Sequence, residues 1–334
     1  MKVARLHGVR DLRLHDEPEP EPKPGESIMK VTSIGVCGSD LHWFAESGIG
    51  DARLARPLIL GHEFAGVVES GELRGRRVAV DPALPCGVCE FCLEGNPNFC
   101  THLHFAGHGG DDGAMRECLS WPTSAMYPLP DAINDADGAM LEPLGVAIHA
   151  VDLGHIRPGM SVAILGNGPI GLLTLQMARL AGATDVYATD MLAHRVAAAR
   201  HYGATVAYQA DGSEAAQILA ATGKRGVDVV FETAGENAAV EAAMAVAKPG
   251  ATVVLVGIPS DDRTSFTASV ARRKGLTIRM SRRMKRTYPR AIKLVERGLV
   301  DVRSMVTHHY PLTDSSQAFE TALRREGLKI VIEP

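Results

Sequence analysis

Four of the six cysteines fall within fifteen residues, in the segment CGVCEFCLEGNPNFC from Cys86 to Cys100. The chain opens on MKVARLHGVR, without the apolar run of a secretory signal, and no later segment offers about eighteen uninterrupted apolar residues. We therefore expect a soluble cytoplasmic protein, where disulfides are disfavoured and clustered cysteines serve metal binding or catalysis. Four thiolates at this spacing predict a tetrahedral structural zinc at Cys86, Cys89, Cys92 and Cys100. Because such a zinc has no open position, it cannot hold a substrate, and the chemistry must lie elsewhere.

A second pattern, GNGPIG, places three glycines directly after a strand-like run and at the opening of a helix. This G-x-G-x-x-G spacing permits a tight turn and a close backbone approach to a pyrophosphate, which then sits on the helix N-terminus. The next strand-like run ends in a carboxylate that can accept hydrogen bonds from adenosine ribose hydroxyls. The sequence therefore predicts a dinucleotide site made by Gly166, Gly168, Pro169, Ile170, Gly171, Asp190, Arg195 and Gly257.

A third constellation is spread over three short motifs, GVCGSDLH, LGHEFAG and LEPLG. Taken singly, each has an ordinary explanation, since a lone cysteine usually packs, a His-Glu pair often lies at the surface and Glu-Pro often starts a turn. Beside a dinucleotide site, their joint presence indicates the partner chemistry for a hydride transfer. The side chains concerned are Cys37, Ser39, Asp40, His42, His62, Glu63 and Glu142.

Two kinds of element must position these groups. The first third of the chain alternates short β-like runs such as ESIMKVTSIGV, EFAGVVES and GRRVAVDPA with Pro and Gly, and shows little helical periodicity. This pattern predicts a β-rich, barrel-like domain. From about Ser161, apolar runs such as SVAILG, DVYATD and GVDVVFETAG alternate with Ala-rich helical stretches. That alternation predicts βαβ units in a parallel sheet covered by helices on both faces.

Length and charge limit the possible functions. At 334 residues the chain can form two domains that each bury a core. Its 35 Lys and Arg against 39 Asp and Glu argue against a general binder of nucleic acid or membrane surfaces. One basic stretch, ARRKGLTIRMSRRMKR from Ala271 to Arg286, carries no nucleic-acid-binding motif, and we expect it to be a solvated face around a strand. We expect neither a nucleic-acid nor a membrane partner.

From VTSIGVCGSDLHWF through RPLILGHEFAGVV, DPALPCGVCEFC, EPLGVAIHA and GNGPIGLL to YPRAIKLV and VTHHYPL, the chain resembles a zinc-dependent medium-chain dehydrogenase/reductase of the sorbitol (polyol) dehydrogenase branch. GVCGSDLHWF and EPLGVAIHA are also similar to L-idonate 5-dehydrogenases of that branch. The resemblance implies a GroES-like catalytic domain at residues 1–148 and 283–334, interrupted by a Rossmann NAD-binding domain at 149–282. It also implies a homo-oligomer, dimer or tetramer, and two zinc ions per chain, the catalytic one in the interdomain cleft.

The resemblance assigns ligands to that catalytic zinc, which needs three protein ligands and one open position. Cys37 and His62 match two of the family's ligands. Glu63 and Glu142 compete for the third place, and we expect Glu63 to ligate directly and Glu142 to ligate or to hold the zinc-bound water. Classical alcohol dehydrogenases have a cysteine where Glu142 stands. The resemblance therefore implies a metal site with more hard oxygen ligands, as in polyol dehydrogenases. Asp40 is expected to fix the tautomer and orientation of His62.

The resemblance also implies the reaction. Zinc strongly lowers the pKa of a hydroxyl group at its open position, so that a secondary alcohol held there can pass hydride to the nicotinamide. We expect the proton to leave through Ser39, then by way of the cofactor ribose to His42 near the surface. Arg283 aligns with a family arginine that reaches the acidic zinc shell and would keep Glu142 ionised. No covalent nucleophile is implied.

The sequence predicts one cofactor but leaves several substrate classes open. Asp190 would repel the 2′-phosphate of NADP, so we expect NAD to be preferred, with Arg195 as the residue that could offset this repulsion. The expected substrate is a secondary alcohol of a polyol or sugar derivative. L-Threonine and a sugar acid remain alternatives, as does, from another class, a zinc-stapled regulatory protein without activity. Trp43, Phe44 and Phe105 either line the substrate pocket or belong to the core.

Overall fold

The computed structural model describes residues 1–334, which divide into two compact units. The first consists of Met1–Glu142 and Tyr288–Pro334, and the second of Pro143–Thr287. The family resemblance implies these transitions after residue 148 and after residue 282. Glu142 and Pro143 both lie within one continuous helix, Leu141–Gly154, so no break in the local pattern marks the first transition.

The elements of the chain up to the first transition are mostly short strands. They are β1 (Lys2–Gly8), β2 (Asp11–Asp16), β3 (Glu26–Gly35), α1 (Gly38–Glu46), β4 (Gly48–Ile49), β5 (Ala52–Arg53), β6 (Leu58–Ile59), β7 (Glu63–Val68), β8 (Arg77–Val80), β9 (Ala83–Leu84), α2 (Glu90–Leu93), β10 (His104–Phe105), β11 (Cys118–Pro122), β12 (Met126–Pro128), α3 (Asp135–Ala139) and α4 (Leu141–Gly154).

Strands and helices then alternate. They are β13 (Ser161–Leu165), α5 (Pro169–Leu180), β14 (Asp185–Asp190), α6 (Ala193–His201), β15 (Val206–Gln209), α7 (Glu214–Ala221), β16 (Val227–Glu232), α8 (Asn237–Val246), β17 (Ala247–Leu255), α9 (Ala268–Lys274) and β18 (Thr277–Met280). The chain ends with α10 (Tyr288–Glu296), β19 (Val306–Pro311), α11 (Ser315–Leu323) and β20 (Lys329–Glu333). Short 3-10 helices lie at Pro97–Phe99, Thr123–Ala125, Arg303–Met305 and Leu312–Asp314.

The first unit is built on a seven-stranded sheet in the order β12-β8-β7-β3-β20-β19, with β11 also paired to β3. Neighbouring strands of this sheet are antiparallel, except that β19 and β20 are parallel to each other. Along β3, buried residues alternate with more exposed ones before the strand ends fully buried, which is the pattern of a strand with one face on the core. The β-rich prediction for this region is confirmed, although β20 joins the sheet from the far end of the chain.

Helix α1, which follows β3 after two residues, has no clear signal in the sequence. Its apolar pair, Trp43 and Phe44, is adjacent rather than spaced by three or four residues, so it carries little helical periodicity. Both side chains are nevertheless buried, at 2% and 0% exposure. Phe44 packs on Phe319 of α11, with ring centroids 5.0 Å apart. Tertiary packing therefore stabilises a helix that the local pattern does not announce.

The second unit contains a six-stranded parallel sheet in the order β15-β14-β13-β16-β17-β18. Counted from β13, this is the order 3-2-1-4-5-6 of a doubly wound dinucleotide-binding sheet, so the predicted fold class is confirmed. β13 and β16 are buried throughout, as central strands covered on both faces must be. The strand order reverses at β13, and ligands of such sheets bind beyond the carboxyl ends of the strands at that point.

No helix of either unit has the length and apolar character that a membrane crossing requires.

Candidate active site

Two neighbouring strands of the first unit bring the predicted zinc ligands together. β3 and β7 are antiparallel, and their register sets Gly35 opposite Glu63. Cys37 follows Gly35 by two residues and His62 precedes Glu63 by one, so all three ligand residues lie at the same end of the strand pair. The ligand atoms of Cys37, His62 and Glu63 all lie within 4.8 Å of one another. We refer to these three residues as the active-site cluster.

The donor set of the active-site cluster fits zinc. A thiolate, an imidazole and a carboxylate are all established zinc ligands, and three protein ligands leave one position of a tetrahedron open. His62 and Glu63 are buried at 5% and 1% exposure, and Cys37 is half-buried. Such burial of acidic and thiol groups calls for a compensating positive charge. The ammonium of Lys329, described below, supplies part of it, and a divalent cation would supply the rest.

Asp40 contacts His62 through the ring nitrogen Nδ1. Its Oδ1 lies 3.4 Å from Nδ1 of His62, and its Oδ2 accepts a hydrogen bond from the N–H of Cys37 at 3.0 Å. The second contact closes the first turn of α1, with Cys37 as N-cap. With Nδ1 facing Asp40, Nε2 is the ring nitrogen left to bind a metal. Burial lowers the pKa of His62, but Asp40 and Cys37 outweigh it and hold that pKa well above its ordinary value, so the surroundings favour a cation here.

A buried ion pair that no sequence motif predicts completes this region. Nζ of Lys329, at the start of β20, contacts Oε2 of Glu63, and the two side chains are only 2% and 1% exposed. Burial lowers the pKa of Lys329, but the negative charges of Glu63, Cys37 and Glu142 outweigh it and raise that pKa above its ordinary value. A signal was present, since Lys329 opens the strand KIVIE and a lysine within a buried strand needs an anionic partner.

The other predicted catalytic residues take different positions. Glu142 lies in the first turn of α4, 4% exposed, and is not one of the mutually close ligand atoms, although its charge acts on Lys329. Ser39 Oγ lies 3.5 Å from Nε2 of His62. His42 follows one turn later on α1, with Nδ1 3.4 Å from Oε1 of Glu46. Arg283 belongs to the second unit, in the segment after β18.

Of the three aromatic residues left open by the sequence, one lies at the site. The Phe105 ring is 5.2 Å from the His62 ring. Trp43 is buried and donates a hydrogen bond from Nε1 to Nδ1 of His108 at 3.1 Å, and the His108 ring in turn meets Phe105 edge-on at 6.2 Å. Phe44 is a core residue. Of these three aromatic side chains, Phe105 is therefore the one that lies beside the active-site cluster.

The four clustered cysteines also come together. Their sulfurs all lie within 4.8 Å of one another, and none is in a disulfide. Cys86 accepts hydrogen bonds from the backbone N–H groups of Val88 and Cys89, which lower its pKa to about 6. Burial and the neighbouring thiol of Cys89 raise the pKa of Cys92 to about 12. We refer to Cys86, Cys89, Cys92 and Cys100 as the cysteine cluster, whose all-sulfur donor set fits a zinc with no open position.

The glycine-rich turn between β13 and α5 has the shape that a pyrophosphate needs. Gly166 has φ 97°, a left-handed conformation that favours glycine. A Cβ on Gly171 would collide with the carbonyl oxygen of Gly166 and lie 2.9 Å from Thr233 Oγ1. Gly168 is the N-cap of α5 and Pro169 its first residue, with Ile170 next in the same turn. Glycine at these positions leaves the helix N-terminus open to a phosphate group.

Asp190 is fixed beside this turn. Its Oδ2 accepts a hydrogen bond from the N–H of Asn167 at 2.7 Å, and its Oδ1 accepts one from the N–H of Leu192 at 2.9 Å. Arg195 on α6 reaches back to the turn, because its Nη1 lies 3.6 Å from the point where Gly168 would carry a Cβ. Gly257 follows β17 and packs against the backbone of Gly235. The turn, the carboxylate and the guanidinium thus occupy one end of the sheet.

Known protein families match both the β-rich region and the dinucleotide-binding region of the chain. Residues 23–131 match the alcohol dehydrogenase GroES-like domain, and residues 169–297 match the zinc-binding dehydrogenase family. The chain is 34% identical over 343 aligned positions to sorbitol dehydrogenase of Bacillus subtilis, with 100% of this chain and 97% of that protein covered.

Solved structures show the same similarity. L-Idonate 5-dehydrogenase of Escherichia coli superimposes with a TM-score of 0.90 at 27% identity, over 100% of this chain and 98% of that one. A Sinorhizobium meliloti protein described as a zinc-binding dehydrogenase bound to NADP superimposes with a TM-score of 0.91 at 31% identity, over 100% and 99% of the two chains. The similarity therefore extends over both units.

Proposed function

Since the chain belongs to the zinc-binding dehydrogenase family, we propose that it oxidises a secondary alcohol of a polyol or sugar derivative to the ketone, with NAD as hydride acceptor. The observation that carries this proposal is the convergence of Cys37, His62 and Glu63 within 4.8 Å. When bound, zinc supplies a Lewis acid that lowers the pKa of an alcohol hydroxyl, and NAD supplies the acceptor of the hydride. The chain's own residues bind the metal, orient its ligands and carry away the substrate proton.

The active-site cluster holds the metal, and its neighbours hold the cluster. Asp40 contacts Nδ1 of His62, so Nε2 would be the ring nitrogen that binds the metal. Glu63, which belongs to the mutually close ligand atoms, is favoured over Glu142 as the third ligand. Glu142 is close enough for its charge to act on Lys329, and we assign it to the surroundings of the open position. Arg283 is retained as the proposed partner of that carboxylate.

Proton removal is assigned to α1. Ser39 Oγ lies 3.5 Å from the ligand nitrogen of His62, which sets this hydroxyl beside the metal position. A serine hydroxyl both accepts and donates, so it can take the substrate proton and release another. His42 stands three residues further along the same helix, on the same face, and its ring nitrogen meets the half-exposed carboxylate of Glu46. We propose that the proton leaves in this direction.

NAD is proposed over NADP because of Asp190. Both of its carboxylate oxygens are held by backbone N–H groups, so the side chain cannot swing away without losing two hydrogen bonds. A 2′-phosphate placed beside it would meet a repulsion of about 4 kcal/mol per unit charge at roughly 4 Å and an effective dielectric near 20. The S. meliloti protein is described as bound to NADP, so the fold alone does not select the cofactor. Arg195, whose guanidinium reaches the glycine turn, is the residue proposed to offset this repulsion in part.

The cysteine cluster is proposed to bind a second, structural zinc. The four sulfurs lie within one short segment and within 4.8 Å of one another. They would supply all four ligands of a tetrahedral zinc, and binding there would stabilise the loop between β9 and β10. We propose two zinc ions per chain with separate tasks.

The substrate class is tested by a screen of stereoisomer pairs. Zinc-loaded protein is mixed with NAD and with polyols, sugar acids or L-threonine, and NADH formation is followed by absorbance. We expect NADH from at least one polyol and discrimination between its stereoisomers. A response confined to sugar acids would favour the idonate-like alternative, which the E. coli structure motivates. No NADH from any alcohol, with zinc present, would contradict the proposed function.

A further inference from the structure

The ion pair between Lys329 and Glu63 lies where three strands meet. β3 runs between β7 and β20, with Gly35 opposite Glu63 on one side and opposite Val331 on the other. A Cβ on Gly35 would collide with Oε2 of Glu63 and lie 2.9 Å from Cε of Lys329. The missing side chain therefore provides the space in which the ammonium and the carboxylate meet.

Burying this ion pair is energetically unfavourable, which points to a task other than stabilising the fold. Removing two charges from water is unfavourable for each ion, and well-packed apolar residues at such positions often give equal or greater stability. Both side chains are almost completely buried. Glu63 also belongs to the active-site cluster, so the same carboxylate contacts a lysine through Oε2 and contributes an oxygen to the predicted metal site.

A carboxylate can bind zinc through one oxygen or two, and the difference matters at a catalytic site. With Cys37 and His62, a single oxygen of Glu63 makes three ligands and leaves the fourth position open. Two oxygens would fill that position and exclude the substrate hydroxyl. The ammonium of a lysine is a compact charge with three donors, well suited to keeping one oxygen occupied.

We infer that Lys329 is a positioning residue that holds Oε2 of Glu63, so that the carboxylate offers only its other oxygen to the metal and the fourth position stays open. The inference rests on the proposed function, since it takes zinc to bind at the active-site cluster. It assigns Gly35 a role as well, because glycine at this position admits the pair. The three residues act together as a clamp on the carboxylate.

The test uses cobalt in place of zinc and imidazole as a probe of the open position. Co²⁺ absorbs visible light, and its spectrum changes when a new ligand enters the coordination shell. The cysteine cluster has no open position, so only the active-site cluster responds to added imidazole. The spectral titration therefore reports the open position directly, without any need for turnover.

We compare wild type with Lys329→Met and with the control Lys248→Met. Lys248 also pairs with a carboxylate, that of Asp228 at 2.5 Å, but in the second unit. Wild type and Lys248→Met should show the same imidazole response. Lys329→Met should bind cobalt but require at least about tenfold more imidazole for the same change, since both oxygens of Glu63 can then reach the metal. A wild-type response in Lys329→Met would overturn the inference.

A second variant covers the case in which Lys329→Met does not fold. Lys329→Gln keeps a hydrogen-bond donor for Glu63 but no charge, and should give an imidazole affinity between those of wild type and the methionine variant. A wild-type response in Lys329→Gln would overturn the clamp. The two proposals fail separately. Cobalt binding and an imidazole response in wild type without NADH from any alcohol would contradict only the function, whereas active wild type with normal responses in both Lys329 variants would contradict only the clamp.

Discussion

The active-site cluster and the cysteine cluster both gather metal-ligating side chains within 4.8 Å, but they are assembled differently. The cysteine cluster comes from one continuous segment and uses one kind of ligand, with backbone N–H groups as close neighbours. The active-site cluster uses three kinds of ligand from the ends of two strands, β3 and β7. It is flanked by charged side chains, Asp40 on His62 and Lys329 on Glu63.

This difference follows from the tasks that we assign. A metal that only holds a loop is satisfied by four thiolates, and its binding energy adds directly to folding. A metal that must bind and release a substrate needs an open position, and the ligands around it must be held in place by other groups. The charged partners, Asp40 and Lys329, lie beside the cluster that offers three ligand side chains instead of four. Changes at the two clusters should therefore have opposite effects on activity and on stability.

The largest effect on activity is expected for Cys37→Ser. Loss of this ligand should remove the catalytic metal and lower kcat/KM by at least about 10³, because several kcal/mol of electrophilic stabilisation are lost. The melting temperature should change little, since β3 and α1 keep their packing. The measurement is kcat/KM together with zinc content and thermal unfolding. Cys118→Ser is the matched control, a buried thiol outside both clusters, and should keep both metal ions.

The largest effect on stability is expected for Cys100→Ser. It should lose one zinc and lower the melting temperature by at least about 5 °C, because structural zinc sites contribute folding energy. Calorimetry and metal analysis of the same sample provide the check. The remaining zinc should stay at the active-site cluster, so activity measured well below the new melting temperature should survive. An unchanged melting temperature with one zinc lost would remove the structural role.

An intermediate effect is expected for Ser39→Ala, which leaves every proposed ligand in place. Turnover should fall by roughly 10²-fold, the usual loss for an acid–base group, while NAD affinity stays the same. Steady-state kinetics at neutral pH and NAD binding by fluorescence separate the two quantities. Thr32→Ala on β3, whose hydroxyl contacts a backbone carbonyl instead, is a comparable control. Normal turnover in Ser39→Ala would take the serine out of the proton path.

The smallest effect is expected for Asp190, which lies far from both metal clusters in the sequence. It concerns the choice between NAD and NADP. Wild type should prefer NAD by more than about tenfold, since roughly 2 kcal/mol of repulsion from Asp190 is enough for that ratio. Asp190→Ala should raise kcat/KM for NADP and weaken the binding of NAD. Asp185→Ala, at the exposed start of the same strand, is the control and should leave the ratio unchanged. Equal efficiency with both cofactors in wild type would mean that other residues read the ribose.

What the sequence predicts well in this chain is local. The cysteine cluster and the glycine turn are each contained in a few consecutive residues, and Asp190 ends the strand directly after the turn's helix. Their spacing alone specifies the geometry. The alternation of strands and helices likewise announces the doubly wound sheet, because each βαβ unit repeats the same pattern.

What the sequence does not reveal depends on long-range pairing. Lys329 lies at the opposite end of the chain from Glu63, and they meet only because β20 and β7 flank the same strand, β3. Phe44 and Phe105 are both apolar aromatics with no pattern to separate them, yet one packs in the core and the other lies on His62. The choice between Glu63 and Glu142 also needs the register of β3 and β7, which brings Glu63 opposite Gly35.

The most direct test of the account is a stepwise removal of zinc from wild-type protein with a chelator, followed by NADH production and by zinc content in each fraction. The protein should start with two zinc ions per chain. Activity should fall to zero as the first ion leaves, with circular dichroism unchanged, and should return when zinc is added back. Full activity after loss of the first ion, or carefully prepared protein with a single zinc or none, would contradict the division of tasks between the two clusters.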